Sequence, residues 1–327
     1  MFETAVQTFT SPVVLFFVLG LLAAFARSDL AIPEAIAKAM SLYLMAAIGI
    51  KGGVAVSKSG IDATVVSALG AGIAAGFLLP FFAYAVLKTF GKLDRINSGA
   101  VAAHYGSISV VTFVTAVEIL TGQAREPGGY MVAVMAAMEA PAILSGLLLA
   151  RGLGSSDDSQ STGEMLHEVF TNSSIVLLLG AFAIGMVGGE QGFGDVQPFF
   201  EAGFKGVLCI FLLDMGLIAA RRMMDSRAIT WRLTLIALFL PLVNGIVGTS
   251  LGIGIGLDAG SAAALGVLCA SASYIAVPAA MRLALPEADP GIYLTMSLSI
   301  TFPFNVLINI GIISAFAAYL AGTGVGP

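Results

Sequence analysis

Long runs of apolar residues, separated by short stretches that contain charges, glycine or proline, dominate the hydrophobic pattern of the chain. Most runs are about 20 residues long, the length that an α-helix needs to cross a bilayer. Transmembrane β-strands are shorter and alternate in polarity, so the chain is predicted to be an all-α integral membrane protein. The pattern predicts ten spans at about 11–26, 36–56, 63–88, 97–121, 129–150, 173–188, 202–221, 229–257, 261–285 and 291–320.

Composition supports this class. Of the 327 residues, 58% are hydrophobic and only 11% are charged, against roughly 25% charged residues in soluble domains. The net charge of −5 indicates no nucleic-acid surface. Cys209 and Cys269 fall in apolar runs and are predicted to be small buried hydrophobes. The first span is expected to be a retained helix, because the ten residues before it include Glu3 and no Lys or Arg.

The distribution of Lys and Arg predicts the orientation in the membrane. Alternate loops place 11 of the 15 basic residues on one side, which the positive-inside rule makes cytoplasmic. Both termini are then periplasmic or outside, and the longest polar loop, Gly152–Glu168, is cytoplasmic. The 11 residues are Arg27, Lys38, Lys88, Lys92, Arg95, Arg151, Arg221, Arg222, Arg227, Arg232 and Arg282.

The two halves of the chain echo each other. Glu126–Tyr130 (EPGGY) matches Asp289–Tyr293 (DPGIY) at an offset of 163, and Ala102–Ser109 lies over Cys269–Ala276 at an offset of 167. Each half holds five predicted spans, and an odd number inverts the second copy in the bilayer. The predicted organisation is a first five-helix repeat (1–151), a cytoplasmic linker (152–172) and a second, inverted five-helix repeat (173–327).

The fourth and ninth predicted spans are interrupted near their centres. One carries His104–Ser109 (HYGSIS) and the other Ser271–Pro278 (SASYIAVP). A broken helix is tolerated in a bilayer only where it is buried in protein or lines a cavity. Breaks near Gly106 and just before Pro278 would create two helix N-termini at the midplane, whose free N–H groups and partial positive charge suit an anion.

These interrupted segments supply the candidate substrate-binding residues: His104, Tyr105, Gly106, Ser107, Ile108, Ser109, Ser271, Ala272, Ser273, Tyr274 and Ile275. Serine hydroxyls can cap helix ends or bind a small oxyanion. Gly and Ser also serve as packing residues in transmembrane helices. No chain of basic residues is present, so the expected substrate is small and singly charged. His104 either donates to the anion or senses pH, or it is a neutral helix contact.

Other polar residues at membrane depth predict cation coupling. Na⁺ prefers oxygen ligands, which Ser109, Thr112, Thr301 and Asn305 offer. Glu139 is the candidate coupling residue, because intramembrane charge is expensive. The alternatives to a place in the cation site are that Glu139 pairs with a helix end or carries a proton. Lys51 and Asp214 are predicted to form an ion pair, and Glu118 is predicted to be solvated. The glycine rows Gly72–Gly76 and Gly252–Gly256 are expected to pack helices and not to bind a dinucleotide.

Several runs resemble the SbtA-type sodium-dependent bicarbonate transporter family: Ala103–Phe113 (AHYGSISVVTF), Met138–Ala142 (MEAPA), and Ala270–Arg282 (ASASYIAVPAAMR) followed by Leu285–Pro290 (LPEADP). The resemblance implies ten helices as two inverted five-helix repeats, with broken helices 4 and 9 crossing at the midplane. It further implies Na⁺-coupled bicarbonate uptake by an elevator-like movement. The implied setting is a bacterial inner membrane, where the protein would be a homotrimer in contact with membrane lipid. Family members are often inhibited by a PII-like nucleotide-binding regulator at the cytoplasmic face.

Of three alternatives to this function, the first two stay open. The same architecture could move another small anion, or exchange ions with Glu139 as the proton carrier. An anion channel would pass current without saturation. A membrane-embedded enzyme would need a chemical cluster such as a metal-ligand set, whereas the predicted spans hold a single histidine, so the chain is predicted not to be an enzyme.

Overall fold

The computed structural model describes residues 11–60, 62–151, 173–225 and 229–322. These residues form helices and contain no β-strand. The predicted linker 152–172 lies outside the described residues, as do both ends of the chain. The helices are α1 (Pro12–Phe25), α2 (Glu34–Ser59), α3 (Ala63–Thr89), α4 (Arg95–Gly106), α5 (Val110–Gly122), α6 (Met131–Arg151), α7 (Ser173–Phe200), α8 (Phe204–Asp225), α9 (Trp231–Gly254), α10 (Ala259–Ala270), α11 (Ala276–Ala284) and α12 (Pro290–Leu320).

Each of the ten predicted spans coincides with one helix or with two consecutive helices. The sixth was predicted to end at 188, and α7 bends at Gly189 (φ 56°, ψ −157°) before it continues to Phe200. Among the described residues, seven helical segments are long and apolar enough to cross a membrane: α2, α3, α4 with α5, α6, α7, α9 and α12. Helices α1 and α10 are apolar but shorter.

The two broken segments, α4–α5 and α10–α11, are built alike. Asp94 caps α4 by accepting from the Asn97 N–H, and Asp258 caps α10 by accepting from the Ser261 N–H, each at 2.9 Å. Both helices end at a serine with extended backbone, Ser107 and Ser271. Matching points thus lie 164 residues apart, at 94 and 258 and again at 107 and 271. The offset of 167 predicted for this region does not hold, since it is three residues too long.

The helices pack as two groups. A four-helix group consists of α1, α2, α7 and α8, in which α2 runs along α7 and α1 runs along α8. A crossover group holds α3–α6 and α9–α12, in which α6 packs on α3 and α4, and α10 packs on α9 and α12. Helix α3 contacts α9 within the crossover group, and α8 contacts the first half of α12 across the two groups.

Glycines allow the closest helix contacts. A Cβ on Gly53 of α2 would lie 2.7 Å from the Met186 nitrogen of α7, and a Cβ on Gly76 of α3 would lie 2.6 Å from the Met138 carbonyl oxygen of α6. Backbones come this close in membranes because packing, not exclusion of water, holds the helices together. The predicted packing role is confirmed for Gly72, Gly76 and Gly252, whereas Gly254 and Gly256 face open space.

Two expectations about charged residues are wrong. Lys51 pairs with Glu201 at 3.6 Å instead of Asp214, because the end of α7 brings residue 201 beside α2. Asp214 is buried, and its Oδ2 has no hydrogen-bond partner among the described residues. Glu118 of α5 is largely shielded and forms a salt bridge with Lys205 of α8, which links the two helix groups.

Replacing Gly185 of α7 by alanine is expected to destabilise the protein. The added Cβ would lie 2.9 Å from the Ile50 carbonyl carbon of α2, and overpacking of this kind costs about 1–3 kcal/mol. Gly180→Ala is the matched control, because its Cβ would meet nothing within 4 Å in the same helix. Thermal unfolding of both variants in detergent measures the effect. Equal melting temperatures would contradict the packing described.

Candidate functional site

The first break lies where α4 ends against a proline of α3. A Cβ on Gly106 would collide with the ring of Pro80 and lie 3.0 Å from the Gly76 carbonyl oxygen. That carbonyl has no donor at its usual helical position, because Pro80 lacks an N–H. Only glycine permits this approach, and the chain turns out of the helix at the next residue, Ser107, whose backbone is extended.

The N-terminus of α5 is capped by serines from both breaks. Ser109 Oγ accepts from the Thr112 N–H at 3.2 Å, and the Ser109 N–H donates to Ser271 Oγ at 3.0 Å. A helix leaves its first four N–H groups without partners in the helix. Two of the four are satisfied in this way, which leaves the N–H groups of Val110 and Val111 open.

The N-terminus of α11 follows the same scheme. Ser273 Oγ accepts from the Val277 N–H at 3.3 Å, and the Ser273 N–H donates to the His104 carbonyl oxygen at 2.9 Å. Pro278, in the first turn as predicted, has no N–H to satisfy. The N–H groups of Ile275 and Ala276 stay open. Two hydrogen bonds therefore join the breaks to each other.

Carbonyl groups at the C-terminal end of α10 are also bound. Ser271 Oγ donates to the Leu268 carbonyl at 2.8 Å, and Asn305 Nδ2 of α12 donates to the Ala270 carbonyl at 2.9 Å. Asn305 lies in a π-helical segment of α12 and is itself held by Asn309, whose Nδ2 donates to its Oδ1 at 2.9 Å. Carbonyls that would be costly to leave unpaired in apolar surroundings are thus bound.

A small cavity lies between the breaks and the four-helix group. Its lining comes from both breaks (Ile108, Ser109, Val110, Ser273, Tyr274, Ile275 and Ala276), from α6 (Ala136 and Glu139), from α2 (Met45) and from α7 (Leu178). It leaves about 20 Å³ to the centre of a water-sized molecule, which is room for about one water or small ion. Three residues with open N–H groups, Val110, Ile275 and Ala276, are among those that line it.

Five of the eleven predicted substrate-binding residues line this cavity, and six pack around the crossing. The five are Ile108, Ser109, Ser273, Tyr274 and Ile275. The six are His104, Tyr105, Gly106, Ser107, Ser271 and Ala272. The ring of His104 stacks on Tyr293 at 4.5 Å, and its Nδ1 lies 2.7 Å from the Ala100 carbonyl. His104 Nε2 and Ser107 Oγ are buried without hydrogen-bond partners among the described residues.

Glu139 is buried in α6 and lines the cavity. None of the hydrogen bonds or salt bridges between described residues reaches its carboxylate. An unpaired acidic group is expensive in this environment, so Glu139 is available to a cation or a proton.

The four predicted Na⁺ ligands do not converge on the cavity. Ser109 lines it, and Thr112 lies one turn further along α5. Thr301 Oγ1 donates to the Ala237 carbonyl at 2.7 Å, which Pro241 frees by lacking an N–H. Because the Thr301 hydrogen is used there, the Tyr105 hydroxyl must be the donor in its 2.7 Å bond to Thr301. Asn305 holds the end of α10, as described above.

Sequence reasoning missed five lining residues. Val110 and Ala276 contribute backbone at the starts of α5 and α11, and the capping serines just before them were a usable signal. Met45, Ala136 and Leu178 are ordinary apolar residues in long helices, and no pattern marks them.

Replacing Thr301 by valine is expected to destabilise the protein by about 1–3 kcal/mol, because the Ala237 carbonyl and the Tyr105 hydroxyl both lose a buried partner. Thr115→Val is the control. The Thr115 hydroxyl donates at 2.8 Å to the Val111 carbonyl, which a helical N–H also serves. Unfolding in detergent should separate the two variants, and similar losses in both would refute the argument.

The chain matches a family model described as the Na⁺-dependent bicarbonate transporter superfamily over residues 12–318. This range includes both breaks and the cavity. No curated protein matches the chain. The resemblance inferred from the sequence is confirmed, and membership in a transporter family makes the protein a membrane transporter and not an enzyme. The chain belongs to the Na⁺-dependent bicarbonate transporter superfamily.

Proposed function

We propose that the protein imports bicarbonate together with Na⁺ and holds the anion at the N-termini of α5 and α11. The observation that carries this proposal is the convergence of two helix N-termini with open N–H groups on one cavity. Such ends attract anions through donor groups and partial positive charge. None of the described residues that line the cavity has a basic side chain, so the available charge suits a small, singly charged oxyanion.

Within this proposal, the substrate-binding residues fall into two sets. Ser109 and Ser273, with Ile108, Tyr274 and Ile275, line the anion site. The remaining candidates position these residues: the His104 carbonyl and Ser271 Oγ accept the N–H groups of Ser273 and Ser109. His104 therefore acts through its backbone, while its ring packs on α12.

Na⁺ is proposed to bind beside the anion at the crossing, with Ser109 and Thr112 as ligands, while Thr301 and Asn305 hold the neighbouring helices in place. Ser109 lines the anion cavity as well, so one residue would connect the two sites. In a medium of low dielectric constant, a cation next to the anion offsets much of the cost of burying either charge. Binding of each ion therefore favours binding of the other.

Transport is proposed to proceed by an elevator-like movement of the crossover group against the four-helix group. The cavity lies at the boundary between the groups, where Met45 and Leu178 cover it from one side. Bicarbonate needs more room than one water, so these covers must separate from the breaks when the anion enters. Movement of one group past the other would carry the site across the membrane.

The packing pattern supports the proposed inverted repeats with bounds 1–151 and 173–327, joined by the linker 152–172. Helix α1 packs on α8 and α2 packs on α7. In the proposed repeats α1 corresponds to α7 and α2 corresponds to α8. A pseudo-twofold axis that relates the two halves would therefore turn the α1–α8 pair into the α7–α2 pair.

The proposed setting is a bacterial inner membrane with both termini outside, following the distribution of basic residues. A homotrimer, and a PII-like regulator at the cytoplasmic face, are further expectations from the family resemblance.

A second candidate function is proton-linked movement of a small anion, with Glu139 as the proton carrier. The observation that favours it is the unpaired, buried carboxyl group in the lining of the cavity. Protonation would also remove a negative charge from the anion site.

Uptake of ¹⁴C-bicarbonate into proteoliposomes is expected to be saturable and to require an inward Na⁺ gradient at fixed pH. The physical reason is that Na⁺ offsets the anion's charge at the crossing. Accumulation that is unchanged without Na⁺ would exclude the coupling, and flux without saturation would indicate a channel.

Ser273→Ala and Ser109→Ala are expected to raise the bicarbonate KM by about tenfold, because each removes a hydroxyl that caps a helix at the anion site. Ser67→Ala is the control, since its hydroxyl bonds, among the described residues, only to the Thr64 carbonyl of its own helix. Uptake kinetics over a range of bicarbonate concentrations measure the effect. Unchanged KM values in both site variants would remove the anion from this cavity.

Glu139→Gln separates the two candidate functions. If Glu139 carries a proton, the variant should lose the pH dependence of flux, because glutamine cannot titrate. Under Na⁺ coupling the pH profile should stay, with at most a lower rate. Glu34→Gln, an exposed residue in the first turn of α2, serves as the control. Flux measured at several pH values in wild type and both variants decides between them.

A further inference from the structure

A large groove opens at one end of the crossover group, away from the transport cavity. It lies between the C-terminal end of α3 and the N-terminal end of α9 and has a volume of about 880 Å³. Its inner part is apolar, with Phe82, Leu235 and Phe239 exposed along it and the two phenylalanine rings 6.4 Å apart. The volume lies within the range of small-molecule sites.

The outer part of the groove is cationic. Lys92 and Arg232 both line it, and neither forms a salt bridge with a described residue. The Arg232 guanidinium lies 5.6 Å from the ring of Trp231, which also lines the groove. Asp94, two residues from Lys92, is engaged by the N–H and the side-chain amide of Asn97. That carboxylate forms no salt bridge with Lys92 or Arg232.

The backbone at Lys92 adds a second indication. Its φ of 58° lies in the left-handed region, which glycine or asparagine usually occupies after a helix C-terminus. A lysine is an uncommon residue at such a position. Its presence here puts a basic side chain in the groove lining directly after α3.

The groove combines two ligand preferences in one site. The apolar part of the groove runs between α3 and α9, which are both long and apolar enough to span a membrane. This part is therefore suited to a hydrocarbon chain. A tryptophan next to basic residues is typical of the level of lipid headgroups. Basic pockets between transmembrane helices recognise anionic headgroups. The predicted topology also places this end on the side that carries 11 of the 15 Lys and Arg residues, which favours the cytoplasmic leaflet.

We propose that the groove is a binding site for an anionic phospholipid. The headgroup phosphate binds Lys92 and Arg232, and an acyl chain lies along Phe82, Leu235 and Phe239. Complementary charge selects anionic over zwitterionic lipids. Because α3 belongs to the first half of the chain and α9 to the second, one lipid molecule would contact both halves of the crossover group.

The chain has a single tryptophan, Trp231, and it lies in the groove. Its fluorescence therefore reports on this site alone. The test reconstitutes the full chain in phosphatidylcholine vesicles that contain increasing fractions of phosphatidylglycerol with brominated acyl chains, which quench tryptophan on contact. A parallel series uses brominated phosphatidylcholine. We expect half-maximal quenching at a fraction of the anionic lipid that is lower by about fivefold for one basic contact and about thirtyfold for two.

Lys92→Gln with Arg232→Gln should make the two lipids quench equally. The matched control is Lys38→Gln with Arg222→Gln, which removes the same charge from exposed positions outside the groove lining. The control should keep the wild-type preference. The single variants Lys92→Gln and Arg232→Gln, each expected to lose part of the preference, provide the test if the double variant does not fold.

Three outcomes would overturn the proposal. Equal quenching of the wild type by both lipids would show that the groove does not select anionic lipids. Loss of preference in the control as well as in the groove variant would assign it to general surface charge. Absence of quenching by either lipid would mean that another protein surface, such as a second copy of the chain, covers the groove.

Discussion

Everything at the centre of this protein depends on satisfying the backbone groups that two broken helices expose. Within an apolar environment each unpaired N–H or C=O costs several kcal/mol. The chain meets this requirement by using each break to satisfy the other: Ser109 donates to Ser271, and Ser273 donates to His104. Among the described residues, the N–H groups of Val110, Val111, Ile275 and Ala276 are left open at the starts of α5 and α11. The proposed ligand site is therefore formed by backbone N–H groups that the hydrogen bonds between the two breaks leave open.

The same requirement explains polar residues that do not face the cavity. Pro80 in α3 and Pro241 in α9 lack an N–H, so each leaves the carbonyl four residues earlier without its helical hydrogen bond. The surroundings of these two carbonyls differ. The Ala237 carbonyl receives the Thr301 hydroxyl, whereas the Gly76 carbonyl is approached closely by Gly106. Asn305 serves the end of α10. A buried polar residue near a binding site is therefore often part of its support, and its side chain is already engaged.

Much of the fold and the core of the site could be predicted from the sequence. Hydrophobic runs located the helices, and Gly106 and Pro278 marked the breaks. The serines indicated caps because capping is a local property of the chain. Partners distant in sequence were harder to predict. Lys51 pairs with Glu201, and Glu118 pairs with Lys205, because of how α7 and α8 pack, which no local pattern encodes. The π-helical segments of α12 likewise determine where Thr301 and Asn305 point.

The hydrogen bond between Ser109 and Ser271 also constrains how the protein is made. Its donor and acceptor are 162 residues apart, and synthesis proceeds at about 5–20 residues per second. The first break therefore waits roughly 8–30 s in the membrane before its partner emerges from the ribosome. During that interval α4 and α5 cannot adopt their final arrangement, and other groups must satisfy their free ends. Completion of the binding site is thus a late event in biogenesis, reached only when the second half has been inserted.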